Sequence, residues 1–282
     1  MGRRLRLLLS ALAVAAATLA LTAGPAAARS PSPARLPAGS ATHGAAIHAR
    51  ATITAVVVKS WGGCSSSSLI WDDLNLNWSS YGTIPISINY SDTDLCGSGT
   101  VTLAALEASG ANVVILDDPA GGIRQYSTDD VNAIQSYLEE GHNIIGTFLT
   151  FAYPRGGIDN SALAPLFGLK AGANGWTGGT TVVTPTYKLR YPGLPLFRNI
   201  SNPYVSSGYN YAQTPGDGVW SSNELQGGKL VGRTADAMGA IVARKAVTGY
   251  YSVFISNMPE YNGGTTDKQF FYNAIIFPAT GS

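Results

Sequence analysis

The chain has 282 residues, of which 45% are hydrophobic and only 12% charged, and its formal net charge is +1. So few charges argue against a nucleic-acid partner, whose recognition needs a concentrated basic surface. Length and apolar content are enough for one substantial domain with its own core.

The first residues read as an address. Arg3, Arg4 and Arg6 precede an apolar run at 7–21, and Ala26-Ala27-Ala28 offers a small-residue cleavage site. The run is too short and too rich in alanine for a membrane span, which needs about 20 strongly apolar residues. Residues 1–28 are therefore expected to be a signal peptide, giving a secreted protein with no membrane span after cleavage. Losing those three arginines takes the net charge from +1 to −2. Residues 29–50 are rich in Ala, Pro, Ser and Gly without a period, as in a flexible linker or pro-segment. The folded domain is expected over 51–282.

Within it, residues 52–59 read as a strand, 69–78 as a helix, 84–90 as a strand and 101–107 as a short helix. Val113, Val114, Ile115 and Leu116, closed by Asp117, Asp118 and Pro119, read as a strand buried on both faces. Ser127-Thr128-Asp129-Asp130 offers a capping box, and Val131, Ile134, Tyr137 and Leu138 form one helical stripe. Gly141 is placed to stop that helix, and 143–148 starts another buried strand. A strand–helix–strand unit of this kind is a right-handed crossover in a parallel sheet. Residues 161–169 suggest a further helix, with Pro165 in or near its first turn. Beyond Gly172, residues 180–187 alternate like an antiparallel strand. Further strands are expected at 230–233, 240–244 and 250–255, and 267–277 is expected to be a closing apolar helix. The predicted fold is α/β: a doubly wound, flavodoxin-like, mostly parallel sheet with helices on both faces and an antiparallel β extension in the C-terminal half.

Cys64 and Cys96 each follow a predicted strand by a few residues. If those strands are neighbours, both cysteines lie at one rim, and in an exported protein they are expected to form a disulfide. Two free buried thiols are the plainer alternative.

Three stretches resemble the class I glutamine amidotransferase-like superfamily, and within it the trehalose-utilisation (ThuA-like) branch. They are Val113-Val114-Ile115-Leu116-Asp117-Asp118, the strand ending Gly146-Thr147-Phe148-Leu149-Thr150, and Tyr251 through Ser256-Asn257-Met258-Pro259-Glu260. The second resembles the strand and nucleophile elbow of the amidotransferases, the third their late strand ending in His-Pro-Glu. The resemblance implies the fold, and in catalytic members an elbow cysteine activated by a late histidine. Here Phe148 stands at the elbow and Met258 at the histidine position, while Glu260 keeps the acidic one. Of three histidines only His142 lies in the folded domain, where the predicted helix meets the next strand, at the rim opposite the elbow. A Cys/His or Ser/His dyad then lacks a base. The same census argues against a histidine-containing metal site, the two cysteines lack metal-ligand spacing, and no cofactor is expected.

In parallel sheets the ligand crevice lies beyond the carboxyl ends of the strands. That rim collects the candidate site residues. Asp118 and Glu260 could act as paired carboxylates, as in glycosidases; alternatively Asp117 caps its loop and Asp118 is solvated. Thr147 or Thr150 could be a nucleophile only with a base that the sequence does not supply. Arg155, after Tyr153-Pro154, could hold a carboxylate or phosphate, or be a solvated loop charge. Trp61 and Tyr261, among other loop aromatics, could stack on sugar faces or simply pack their loops. Gly121-Gly122 and Gly156-Gly157 have neither the spacing nor the Lys-Ser/Thr of a phosphate loop. Asn77-Trp78-Ser79 and Asn199-Ile200-Ser201 match the glycosylation pattern, which has meaning only in a eukaryotic host. Two functions follow. One is a non-catalytic secreted domain binding a small polar ligand, with carbohydrate suited to the aromatics and to a sugar-linked branch, through Asp117, Asp118, Thr150, Tyr153, Arg155, Trp61 and Tyr261. The other is a secreted glycosidase-like hydrolase using Asp118 and Glu260, with Thr147 as a weaker candidate.

Overall fold

The structure is a computed structural model that describes residues 51–59, 69–90, 99–117, 125–147, 150–153, 158–170, 181–183, 186–207, 210–212, 225–234, 239–256 and 263–280. The described residues begin with β1 (Ile53–Lys59), α1 (Leu69–Asn77), a 3-10 turn at Trp78–Ser80 and β2 (Ile86–Tyr90). α2 (Leu103–Ala108), β3 (Val113–Asp117), α3 (Thr128–Glu139) and β4 (Asn143–Thr147) follow. Then come β5 (Ala152–Tyr153), β6 (Ile158–Asp159), a 3-10 helix at Ser161–Phe167, β7 (Thr181–Val183) and β8 (Thr186–Leu189). A 3-10 turn at Pro195–Phe197 leads to β9 (Tyr204–Val205), β10 (Asn210–Ala212), β11 (Lys229–Arg233), β12 (Gly239–Lys245), β13 (Tyr251–Ile255) and α4 (Thr265–Thr280).

Nine strands form one mixed sheet in the order β2-β1-β3-β4-β13-β12-β11-β8-β9. Pairing is parallel from β2 through β13 and antiparallel from β13 to the far edge. The parallel half is the doubly wound part: β3 and β13 are buried at every residue, as unbroken apolar runs require when both faces are covered. Alternate residues serve opposite faces. Ala55, Val57, Ile115, Ile145 and Val253 join Trp71 of α1 and Phe270, Phe271 and Ile275 of α4 in one core. Val56, Val58, Val114, Ile144 and Phe254 join Leu106 of α2 and Ile134, Tyr137 and Leu138 of α3 in the other. Among the described residues no helix is long and apolar enough to cross a membrane.

Local chemistry accounts for the element ends. Ser127 and Asp130 complete the reciprocal capping box of α3, Ser127 Oγ accepting from Asp130 N at 3.1 Å and Asp130 Oδ2 from Ser127 N at 2.8 Å. The other Asp130 oxygen accepts from Val101 N at 2.6 Å and so binds the start of the α2 segment to α3. Gly141, at φ +102°, turns the chain into β4 where a side chain would be strained.

Two expectations are corrected. The helix expected at 161–169 is a 3-10 helix ending at Phe167, with Pro165 well inside it rather than in its first turn. A proline has no N–H to donate and its ring clashes with the preceding turn, so the tighter helix replaces an α-helix. The strand expected at 180–187 is two strands in separate sheets, β7 pairing with β10 and β8 with β11 and β9. Pro185 stands between them in the sequence, and proline cannot donate to a ladder.

Candidate functional site

The register brings four strand ends to one rim. Lys59 of β1 lies opposite Asp117 of β3, and Thr147 of β4 opposite Ile255 of β13, which Ser256 follows. Asp117, Thr147 and Ser256 are polar yet almost fully buried, at 2%, 0% and 1% exposure. The turn after β4 is held by Thr150, whose hydroxyl accepts from Thr147 N at 3.2 Å and donates to Thr147 O at 2.6 Å. Thr150 N also donates to Thr147 O, at 3.0 Å. This threonine thus does the work of a capping side chain, and both its hydrogen-bonding functions are engaged. Asn160, also buried, accepts from Tyr126 N at 2.8 Å, and its own N–H donates to Phe151 O at 2.7 Å. It joins the segment leading into α3 to the segment leaving β4.

Aromatic rings fill the space under this turn. Phe151 stacks on Phe254 with centroids 4.6 Å apart, and Phe167 meets both rings edge-on. Gly146 is the reason they can come so close: a Cβ there would lie 2.8 Å from Phe167. The floor below the turn is therefore apolar, built from Phe254 of β13, Phe167 of the 3-10 helix and Phe151 of the turn itself.

On the opposite face of the sheet lies a polar cluster that sequence reasoning missed. Asp267, with no exposed surface, accepts from the hydroxyls of Tyr204 and Ser206, from Ser207 N at 2.8 Å and from Gly264 N at 3.1 Å. The Gly264 bond is the carboxylate half of a capping box at the start of α4, where a negative charge also suits the helix dipole. Tyr187 packs 5.5 Å from Tyr204, ring to ring. Burial pushes both phenols well above their usual range, and the charge of Asp267 adds to the effect in each. The sequence did carry one sign of this cluster: Gly264-Thr265-Thr266-Asp267 puts an acid at the third position of a helix. Its tyrosine and serine partners come from β9 and the residues just after it, which no local pattern connects to α4.

The other candidates divide plainly. The structure brings Asp117, Thr147 and Thr150 together. Trp61, Cys64, Cys96, Asp118, Phe148, Arg155, Met258, Glu260 and Tyr261 lie outside the described residues, as does the side chain of Tyr153. Strands β1 and β2, which precede the two cysteines, are parallel neighbours in register from Ile53–Ile86 to Val57–Tyr90. His142 is at the far end of β4, its ring stacked on Tyr137. Among the described residues, no three His, Cys, Asp or Glu side chains converge as metal ligands would. A cavity of about 360 Å³ between Tyr81, Arg198 and Tyr272 lies away from the rim. Its wall is closed by internal bonds, Tyr272 binding Ile84 N and O and Asn273 donating to the carbonyls of Leu196 and Arg198.

A parallel half in the order β2-β1-β3-β4-β13, extended by antiparallel strands, defines a doubly wound α/β fold. Comparison with solved structures agrees. A ThuA-like protein from Parabacteroides merdae aligns over 82% of this chain and 91% of its own, with 9% identity and a TM-score of 0.51. The mmIFT52 N-terminal domain aligns over 82% and 99%, with 11% identity and a TM-score of 0.51. The glutaminase domain of Trypanosoma brucei CTPS aligns over 80% and 93%, with 10% identity and a TM-score of 0.47. The ThuA-like protein and the mmIFT52 domain are thus similar to this chain in fold, and at these identities the likeness is one of fold alone. No family model matches the sequence, and no curated protein does.

Proposed function

We propose that this is a secreted amidotransferase-like domain without amidotransferase chemistry, which binds a small polar ligand, carbohydrate in character, over the carboxyl ends of its parallel strands. The observation that carries this reading is the elbow. Thr150 uses its hydroxyl to hold the turn, Thr147 is fully buried, and three phenylalanines close the floor beneath them. A nucleophile at this place needs a base, and the folded part's single histidine stacks on Tyr137 at the opposite end of β4. The carboxyl ends of the parallel strands are the topological position where α/β sheets take ligands. Asp117 supplies a polar group there, and Trp61, Tyr261 and Arg155 follow or flank the same strand ends in the sequence.

The test is calorimetric titration of the purified protein with neutral mono- and disaccharides, beside assays for glutamine and glycoside hydrolysis. The expected result is saturable sugar binding, weakened by Trp61→Ala or Tyr261→Ala, with no turnover of either substrate. Glycoside hydrolysis lost in Asp118→Asn and Glu260→Gln would replace this reading with the carboxylate hydrolase. Glutamine hydrolysis lost in Thr147→Val would overturn both.

A further inference from the structure

Charge is divided unevenly over the fold. Helices α1, α2 and α3 carry Asp72, Asp73, Glu107, Asp129, Asp130 and Glu139 and no cation. Strands β8, β11 and β12 carry Lys188, Lys229, Arg233, Arg244 and Lys245 and no acid. The antiparallel extension is thus the basic part of a chain with little net charge, and its face toward α4 holds a concave site.

That site is a cavity of about 260 Å³ lined by Leu194, Val231, Ala243, Tyr251 and Phe277, with Lys229 and Lys245 at its mouth. The register explains the arrangement. Lys229 lies opposite Ala243, and Lys245 opposite Tyr251, so the strand alternation puts both lysines on the face that carries Val231 and Ala243. Lys229 and Lys245 are diagonal neighbours across two strands, roughly 7–8 Å apart at the backbone, within reach of one small anion. Arg244, next to Lys245 on β12, also lines the cavity, but its guanidinium is engaged, donating to the Pro165 carbonyl and to the Tyr250 hydroxyl at 3.3 Å. Each lysine is steadied by a ring: Lys229 Nζ lies 3.9 Å from the Tyr191 centroid and Lys245 Nζ 5.2 Å from that of Tyr251. Among the described residues no acid pairs with either ammonium, and both side chains are exposed. The floor, by contrast, is apolar: Val231, Ala243, Tyr251 and Phe277 are all buried.

We infer that this cavity is a second binding site, for a compact carboxylate with an apolar body, an aryl or acyl carboxylate. The carboxylate would lie between the two ammonium groups, where charge-assisted hydrogen bonds are strongest, and the body on the apolar floor. A neutral sugar fits neither feature, since it would leave two cations unanswered and its hydroxyls against aliphatic carbon. Tyr251 is the first residue of β13, so the cavity is at the end of the sheet opposite the elbow rim. It is therefore independent of the ligand proposed there.

The test is titration of the purified protein with phenylacetate, with phenylacetamide as the neutral analogue and acetate as the anion without a body. Saturable phenylacetate binding is expected, with phenylacetamide and acetate each weaker by about tenfold or more. The Lys229→Ala, Lys245→Ala double variant should lose affinity to the same degree, and the Lys229→Arg, Lys245→Arg variant should keep it. Both lysines are exposed, and unchanged thermal melting would establish that the variants fold. Absence of saturable binding, equal affinity for phenylacetamide, or full affinity in the double alanine variant would overturn the inference. Equal affinity for acetate would also overturn it, by leaving a bare anion site. So would binding of polygalacturonate alone, by making the extension a polyanion surface.

Discussion

Tyr137 and His142 stack face to face, with ring centroids 3.8 Å apart and planes 1° from parallel. Tyr137 is itself fixed from both ends, its ring in the core and its hydroxyl donated to the Ala111 carbonyl. The histidine therefore closes the end of α3 against the start of β4. His142→Ala is expected to cost about 0.5–1.5 kcal/mol, the range for one such ring pair. Urea unfolding measures it, and sugar binding at the other rim should be unchanged in the same variant. A variant of full stability that no longer binds would contradict this division of roles.

Gly146 is tested by its smallest replacement. A methyl group in Gly146→Ala would meet Phe167 Cζ at 2.8 Å and Phe254 Cδ2 at 3.1 Å, both rings being held in the core. Overpacking of this kind costs typically 1–3 kcal/mol. Gly146→Ala should lower stability by that amount, and Gly193→Ala, at a position with nothing within 4 Å, should not. Equal stabilities for the two would refute the close packing described under the elbow.

The contact between α1 and α4 predicts how stability varies with pH. Burial alone would raise the Asp73 carboxyl, but bonds from Lys268 at 3.0 Å, Asn77 and Tyr81 outweigh it and hold the group below its ordinary value. Its contribution is present above the unfolded value near 3.9 and is lost as pH falls through the lower folded value. Tyr81 behaves in the opposite sense. Burial first, and then the neighbouring Asp73, push its phenol up to about 12. A proton retained longer in the folded state gives stability below pH 10 that disappears between about 10 and 12. Tyr81→Phe should flatten the alkaline limb and Asp73→Asn the acid limb of a stability–pH curve. An alkaline limb unchanged by Tyr81→Phe would remove the argument.

The strand order bears on the cysteines. The expectation of a bond between Cys64 and Cys96 rests on the strands that precede them being adjacent and parallel, as β1 and β2 are. We expect intact mass to fall by about two hydrogens in the protein without reductant, since the secretion proposed above would place the pair in an oxidising setting. A Cys64→Ser, Cys96→Ser variant should lose about 3–4 kcal/mol, the value for closing a loop of that length. Two free thiols in the unreduced protein would contradict the pairing.

How legible all this was from the residues depended on distance along the chain. β3, α3 and β4 were readable because each carries its own signal: Val113 to Leu116 is an unbroken apolar run, and Ser127 and Asp130 make the cap of α3. The positions of Asp117 and Thr147 followed, because a strand end in a parallel sheet is a known place. The region from Ser161 was misread because Leu163, Leu166 and Phe167 have helical spacing, and only the geometry of Pro165 decides for the 3-10 form. Residues 180–187 were misread because alternation is the same in two short strands as in one. The Asp267 cluster was invisible for another reason: Tyr204, Ser206 and Asp267 meet only once α4 lies against the extension. Tertiary contact made that site, and no window of sequence contains it.

Strand β13 has one further consequence, for the order in which the sheet is completed. It pairs with β4 on one side and β12 on the other, so it alone joins the parallel half to the antiparallel one. Yet it comes after both in the chain. While the polypeptide is being made, the first four parallel strands have an open edge at β4, and β8, β11 and β12 have no partner strand in the parallel half. Both halves wait for Tyr251 to Ile255. Closure then spans more than a third of the chain, a high contact order that makes folding slow and exposes the β4 edge until the end. A nascent chain of this design is most in need of protection just before its last strand emerges.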